Sequence, residues 1–347
     1  MSDTVDSAYY NQTRAPMLYG ITFSLLGVAI IVLCLRIFCR TCMIKAIGWA
    51  DYLMALAMVV TIGMCAMIHL QIKTGMGRHI EYSHDHPEMW SLSMKAGYTQ
   101  NILYQSALVI TKASILTQYH RIAATRTQKR VIVGTLAFVL IFGSFVTLAA
   151  IFYCIPVSAA FNISTFPKGC WNMKSMNFFT SAVNTTTDVV LFLLPMPIIA
   201  KMHISKKKKI VLFAIVASGL VVITAAAVRL SNIVLWNDAA DSTYNSSVIP
   251  MLDAVEVCVA IVSGSMPALQ PLFRWVFKQT LSKVSSVRTE IRLHSVSLAQ
   301  GTTRKAVLDP EQNMEHDPSQ SQTRLWKIGT SIEGGYVVED EKAPICH

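Results

Sequence analysis

Asp51, Lys112, Asp188, Arg229 and Glu256 are the residues whose chemistry asks for an account, because each lies inside a long apolar stretch. An ionised side chain within a bilayer-crossing helix is costly. It turns toward protein or water, where it marks a pairing partner, a ligand contact or an ion path. The scatter of these residues argues against catalysis: no HExxH, GxSxG or dinucleotide fingerprint occurs, and the buried acids are spread over three predicted helices. A non-enzyme is expected. Depth along the predicted helices groups the charges as pairs instead. Arg229 and Glu256 fall in the outer half of the membrane, Asp51 and Lys112 in the inner half, and Asp188 nearer the middle, where it can join Lys112. The expectation is an outer Arg229–Glu256 pair lining a ligand-accessible cavity and an inner Asp51–Lys112 pair stabilising the packing. The plainer alternative is structural pairing throughout, with Asp51 near enough to the interface to reach headgroups.

Other groups point to chemistry less well. His84, His86 and Glu88 lack a third positioned ligand beyond two histidines at close spacing, so they read as a solvated polar loop rather than a zinc or copper site. Gly75 and Gly77 have no preceding strand and no third glycine, which favours a tight turn over a phosphate cradle. A retinal imine would need a lysine amine inside the last span. That span has none before Lys278, and Lys112 is the only lysine in mid-bundle. No cofactor and no metal are expected. The net charge of +10 sits beside apolar spans instead of forming a patch with aromatics, so nucleic acid is not an expected partner.

The elements that must hold these charges follow from composition. The 347 residues are 53% hydrophobic and only 14% charged, with a mean hydropathy of +0.45; soluble domains carry about a quarter charged residues. In the stretch from Gly97 to Arg130 an apolar run with Lys112 inside it ends abruptly in Arg121, Arg126, Lys129 and Arg130. Such a run is long enough to cross a hydrocarbon core of roughly 30 Å, and its basic exit marks the cytoplasmic face. Six further runs cover residues 17–38, 47–70, 131–153, 175–200, 210–235 and 248–277. The first is too long for a signal-peptide core and has no basic leader, so it reads as retained. Prolines 195, 197, 267 and 271 fall near inner span ends, where they break or kink the helix. Lys206 to Lys209 form an inner-face anchor that also suits anionic lipid.

The fold class expected is all-α, a seven-transmembrane-helix bundle with the N-terminus outside and the C-terminal tail in the cytoplasm. Residues 1–16 form an extracellular segment, 17–277 the bundle, and 278–347 a cytoplasmic, largely disordered tail that opens on an interfacial amphipathic stretch. Twelve lysines and arginines fall in the inner connections and six in the outer segments. The glycosylation acceptors Asn11, Asn162 and Asn245 all lie outside on this reading. Cys154 and Cys170 share one outer connection and suggest a disulfide, with free thiols as the alternative. Closing that loop contributes about 3 kcal/mol on the chain-entropy model. Cys34, Cys39 and Cys42 at the inner end of the first span read as unpaired thiols rather than acylation sites.

Taken together, Arg36, the Gly48-Trp49-Ala50-Asp51 start of the second span, Gly75 to His79, Lys112 to Leu116 with Tyr119 and Arg121, Cys154 with Pro156 and Cys170, Asp188 with Pro195 and Pro197, Gly219, Arg229, Glu256, Pro267 and Pro271 resemble the fungal rhodopsin-domain integral membrane family over about residues 17–277. Ala50 departs from the family's frequent second aspartate and speaks against a paired-carboxylate role there. The resemblance implies a seven-helix membrane protein of a filamentous fungus. Its relatives are described as receptor-like sensors of surface or host cues, or as membrane proteins encoded beside secondary-metabolite genes, and the family name implies no chromophore. The expected function is a receptor-like sensor in the plasma membrane, with the bilayer, a small-molecule or surface ligand and a cytoplasmic signalling partner as its partners. A transporter or an accessory protein of a secondary-metabolite pathway is the alternative.

Overall fold

The computed structural model describes residues 12–79, 86–161, 170–195, 219–231, 242–272 and 275. Among these the protein is all-α, with an isolated bridge between Cys154 and Cys170 as its β feature. The chain divides into two compact units, Met1–Pro271 and Leu272–His347. The helices described here belong to the first. Asn11, His84, Asn162, Lys206 to Lys209 and the tail beyond residue 277 lie outside the described residues.

The helices are α1 Ala15–Phe38, α2 Trp49–Lys73, α3 Pro87–Ile122, α4 Arg126–Ile151, α5 Met173–Leu193, α6 Gly219–Ser231 and α7 Val248–Ser265, and the last continues as a 3-10 turn over Met266–Leu269. Helix is thus present within each of the seven predicted stretches. Four segments, Ala15–Met43, Trp49–Lys73, Arg126–Ile151 and Tyr244–Leu272, are long and apolar enough to cross a membrane. Exposed apolar side chains cover the first three, Phe138, Ile141, Phe145 and Leu148 on α4 among the largest. In water such a surface would be unstable, and in lipid it costs nothing.

Local chemistry sets the helix ends. α3 starts ten residues before the expected Gly97, because Pro87 occupies its first turn, where a missing N–H is harmless, and Glu88 complements the positive end of the helix dipole. The connection from α2 is accordingly shorter than the expected loop over residues 71–96, and His86 and Glu88 belong to the start of α3. After α2 the chain turns at Gly75 and Gly77, both with positive φ (106° and 87°), a conformation that glycine adopts without strain. The carbonyl of Gly77 accepts from the Arg14 N–H at 3.1 Å, which ties this turn to the start of α1. The Arg14 guanidinium lies over Tyr244, whose ring also stacks on His79. α4 opens on a capping box, with Thr125 Oγ1 accepting from the Gln128 N–H and Gln128 Oε1 from the Thr125 N–H.

α3 packs against α2, α4 and α7, and α7 also contacts α1 and α2. One apolar core joins Met54 and Ile68 of α2, Tyr104 and Leu116 of α3, and Val257 and Ile261 of α7. α7 is the most deeply buried of the four apolar segments and α4 the least. Near the α1 terminus Cys34 is a free thiol, as expected.

Candidate functional site

The described charges separate into two buried clusters and a link between helices. The first lies where α1 ends and α2 begins. Arg36, fully buried in the last turn of α1, sets its guanidinium 2.9 Å from Asp51 Oδ1 and donates from Nε to the same oxygen at 3.0 Å. Arg40 Nε stands 3.6 Å from that oxygen. Asp51 Oδ2 meanwhile accepts from the Gly48 N–H at 3.0 Å, so this carboxylate caps α2 and neutralises α1 at once. Arg36 also donates to the Gly264 carbonyl at 2.8 Å, just before α7 tightens into its 3-10 turn. Three helices are pinned by one side chain. Next to it Ser114 of α3 donates to the Ala50 carbonyl at 2.6 Å.

The second cluster lies toward the disulfide end. Arg229 of α6 meets Asp253 Oδ1 of α7 at 2.6 Å and Glu256 Oε2, one turn further along, at 3.8 Å. Residues three apart on a helix share a face, which puts both acids on the side of α7 that meets α6. Tyr104 of α3 stands between them: its hydroxyl accepts from Arg229 at 2.6 Å and donates to Glu256 Oε2 at 2.9 Å. The guanidinium also lies over the Tyr104 ring, 4.5 Å from its centroid. Gln100, one turn before Tyr104, donates its amide to Asp253 Oδ2 at 3.0 Å.

Lys112 of α3 provides the link to α5. Its Nζ lies 3.0 Å from Asp188 Oδ1 and donates to Thr187 Oγ1 at 2.7 Å and to the Asn184 carbonyl at 3.1 Å.

Above Arg229 and Asp253 opens a cavity of about 490 Å³. Both residues line it, with Gln71, Gln100, Asn101, Gln105, Asn177 and Thr180 as uncharged polar walls and Trp90, Tyr98 and Tyr153 as aromatic ones. The Cys154–Cys170 disulfide stands at this end and packs with Tyr98 and Tyr153, and Tyr98 donates to the Ile151 carbonyl. The Trp171 N–H donates to the Tyr153 carbonyl at 3.1 Å, so the bridged segment continues the wall. Asn245 lies in the helical turn Ser242–Ser246 beside this mouth and is half-buried, and Ser247 of its acceptor triplet is buried.

The expected pairs are therefore redrawn. Asp51 does not meet Lys112. It is held by Arg36 and Arg40, and Lys112 takes Asp188 instead. Arg229 and Glu256 do come together, but Asp253 is the nearer partner and is the acid that reaches the cavity, whereas Glu256 sits behind Tyr104. Sequence reasoning assigned no role to Asp253, Gln100 or Tyr104. Among the described residues no group of three His, Cys, Asp or Glu side chains is arranged to hold a metal ion.

A bundle of apolar, lipid-suited helices with its charges paired inside is an integral membrane protein. The fungal rhodopsin domain model matches residues 35–275, and the chain belongs to that family. Among curated proteins it is similar to a SAT4 family membrane protein of Emericella nidulans, 26% identical over 198 residues, which is 56% of this chain and 50% of the relative. It is also 28% identical over 187 residues to the polyenoic acids biosynthesis gene cluster protein Ba17b of Metarhizium anisopliae, covering 53% and 51% of the two chains. A third relative is the fugralins biosynthesis cluster protein 2 of Gibberella zeae, 31% identical over 91 residues, or 26% of this chain and 23% of that one. The chain spans about half the length of the curated relatives it matches, or less. No solved structure matches it.

Proposed function

We propose that this protein is a non-enzymatic, receptor-like sensor of the plasma membrane that binds an uncharged, amphipathic small molecule in the cavity at the disulfide end. On this reading the chain crosses the bilayer seven times. The N-terminus, the glycosylated acceptors and the cavity mouth face outward, and the tail meets a cytoplasmic signalling partner. The observation that carries it is the cavity. Its volume of about 490 Å³ falls in the range of small-molecule sites. Its two charged wall residues neutralise each other at 2.6 Å, which leaves amides, hydroxyls and aromatic faces to meet a ligand.

The test is complementation of a gene-deleted fungus with the wild-type protein or with Ala150→Trp, which fills the cavity from α4. A reporter of cytoplasmic signalling is read during exposure to surface and host extracts. The wild type is expected to restore a response at least tenfold larger than Ala150→Trp at equal surface amount. An equal response from the filled cavity overturns the reading. A tag placed after Lys209 is expected to be detected only after permeabilisation, and labelling in intact cells overturns the orientation. The names of two relatives, both biosynthesis cluster proteins, favour a second reading, an accessory or transport role in a secondary-metabolite pathway. Altered metabolite export in the deletion strain, with no signalling response, selects it.

A further inference from the structure

We infer that Glu256 is a buried proton-binding site, joined to the cavity floor through the Tyr104 hydroxyl. The inference rests on the charge arrangement alone, and it stands whether the cavity serves a sensor or a transporter. Among the described residues five Asp, Glu, Lys and Arg side chains meet in this part of the bundle. Arg229 is matched by Asp253 at 2.6 Å and Lys112 by Asp188 at 3.0 Å. Glu256 is the fifth. At 1% exposure it is buried away from bulk solvent, and its nearest cation, 3.8 Å away, is already engaged by a closer carboxylate. Its Oε2 accepts from Tyr104, whereas its Oε1 has no hydrogen-bond partner among the described residues.

An ionised carboxylate with one oxygen bare and no counter-ion of its own is disfavoured in a low-dielectric interior. A solvent hydronium ion that passes its proton to Oε1 leaves as neutral water, and the new O–H bond removes the unmatched charge. It leaves Oε2 as the acceptor that Tyr104 needs. The ionisable neighbours from every packed element agree with this count. α3 presents Tyr104 and Lys112, α5 Asp188, and α6 Arg229. α7 itself adds Asp253 and Cys258, and Cys65 of α2 lies close to Cys258. Asp51, Arg36 and Arg40 satisfy one another in the separate cluster. The proton is coupled to the cavity because Arg229 is shared. Opening of the Arg229–Asp253 contact would free the guanidinium for Glu256, and the proton then leaves.

The test is infrared spectroscopy of the purified full chain in lipid nanodiscs near neutral pH, in H₂O and in D₂O. The wild type is expected to show a carboxylic-acid carbonyl band that shifts on deuteration. Glu256→Gln is expected to lose that band completely while folding and melting like the wild type, because a neutral amide replaces a neutral acid of the same size. Asp253→Asn is expected to lose it too, since Arg229 then turns to Glu256. Absence of the band in the wild type, its survival in Glu256→Gln, or failure of Glu256→Gln to fold each overturns the proposal. So does a band that appears only when sodium is withheld, which would mean that a metal cation fills the place.

Discussion

The Arg36 cluster and the Arg229 cluster solve the same physical problem in different ways. Both bury a guanidinium against carboxylate, where removing one partner costs more than the pair contributes. Among the described residues Arg36 and Arg40 share one buried acid, a helix cap and a backbone carbonyl. Around Arg229 there are two acids for one arginine, a tyrosine that relays hydrogen bonds, and a cavity wall. A surplus of donors closed over by backbone is a clamp. A surplus of acid facing a cavity is a site that can change its charge or its partner. The lesson is that buried charge in a bundle is read by counting partners, and burial alone does not distinguish brace from site.

The largest effects are expected where one arginine is removed. Arg36→Gln strands Asp51 and Arg229→Gln strands Asp253, each at about 3–5 kcal/mol, seen as loss of monodisperse protein and a lower melting temperature in detergent. The rescue separates the clusters: Asp253→Asn is expected to recover much of the Arg229→Gln loss, whereas Glu256→Gln recovers little. Equal rescue by both would erase the asymmetry. A smaller effect is expected from Gly264→Ala. Its new methyl would stand 2.7 Å from Ile115 Cγ1 and 2.9 Å from Met54 Cε, beside the carbonyl that Arg36 holds. Overpacking there is expected to cost about 1–3 kcal/mol in a thermal melt with the cavity unaffected. Tyr104→Phe keeps the ring and removes the relay. About 1–2 kcal/mol is expected to be lost, and the Glu256 infrared band is expected to change. An unchanged band would separate the two ends of the second cluster.

Much of this architecture is legible in the residues. Long apolar runs with basic exits mark helices, and two cysteines in one short connection mark their bridge. Depth along a helix can also be counted, which is why Arg229 and Glu256 were expected at one level. Azimuth cannot be counted from a single chain, and partner choice depends on it. Asp51 and Lys112 share a half of the bundle yet face different neighbours, and the short turn between α1 and α2 brings Arg36 to Asp51 first. That connection was a usable signal, as was the three-residue spacing of Asp253 and Glu256 on one helix face. The early start of α3 was hidden for another reason. Ser91, Ser93 and Lys95 make its first turns polar, so an apolar-run criterion passes over them although Pro87 and Glu88 announce a helix.

α3 carries a mechanical consequence. Its 36 residues make a continuous rod of about 54 Å, well beyond a hydrocarbon core of roughly 30 Å. Trp90 on this rod faces the cavity, Tyr104 grips the relay, Lys112 holds α5, and Ser114 rests on the start of α2 beside Asp51. These four grips are spaced along one lever with no break between them. Tilting it by about 5° about its middle would carry each end roughly 2 Å, a displacement comparable to the helix shifts of known switching proteins. Whatever fills the cavity therefore pushes on the same beam that seats the clamp at the far end of the bundle.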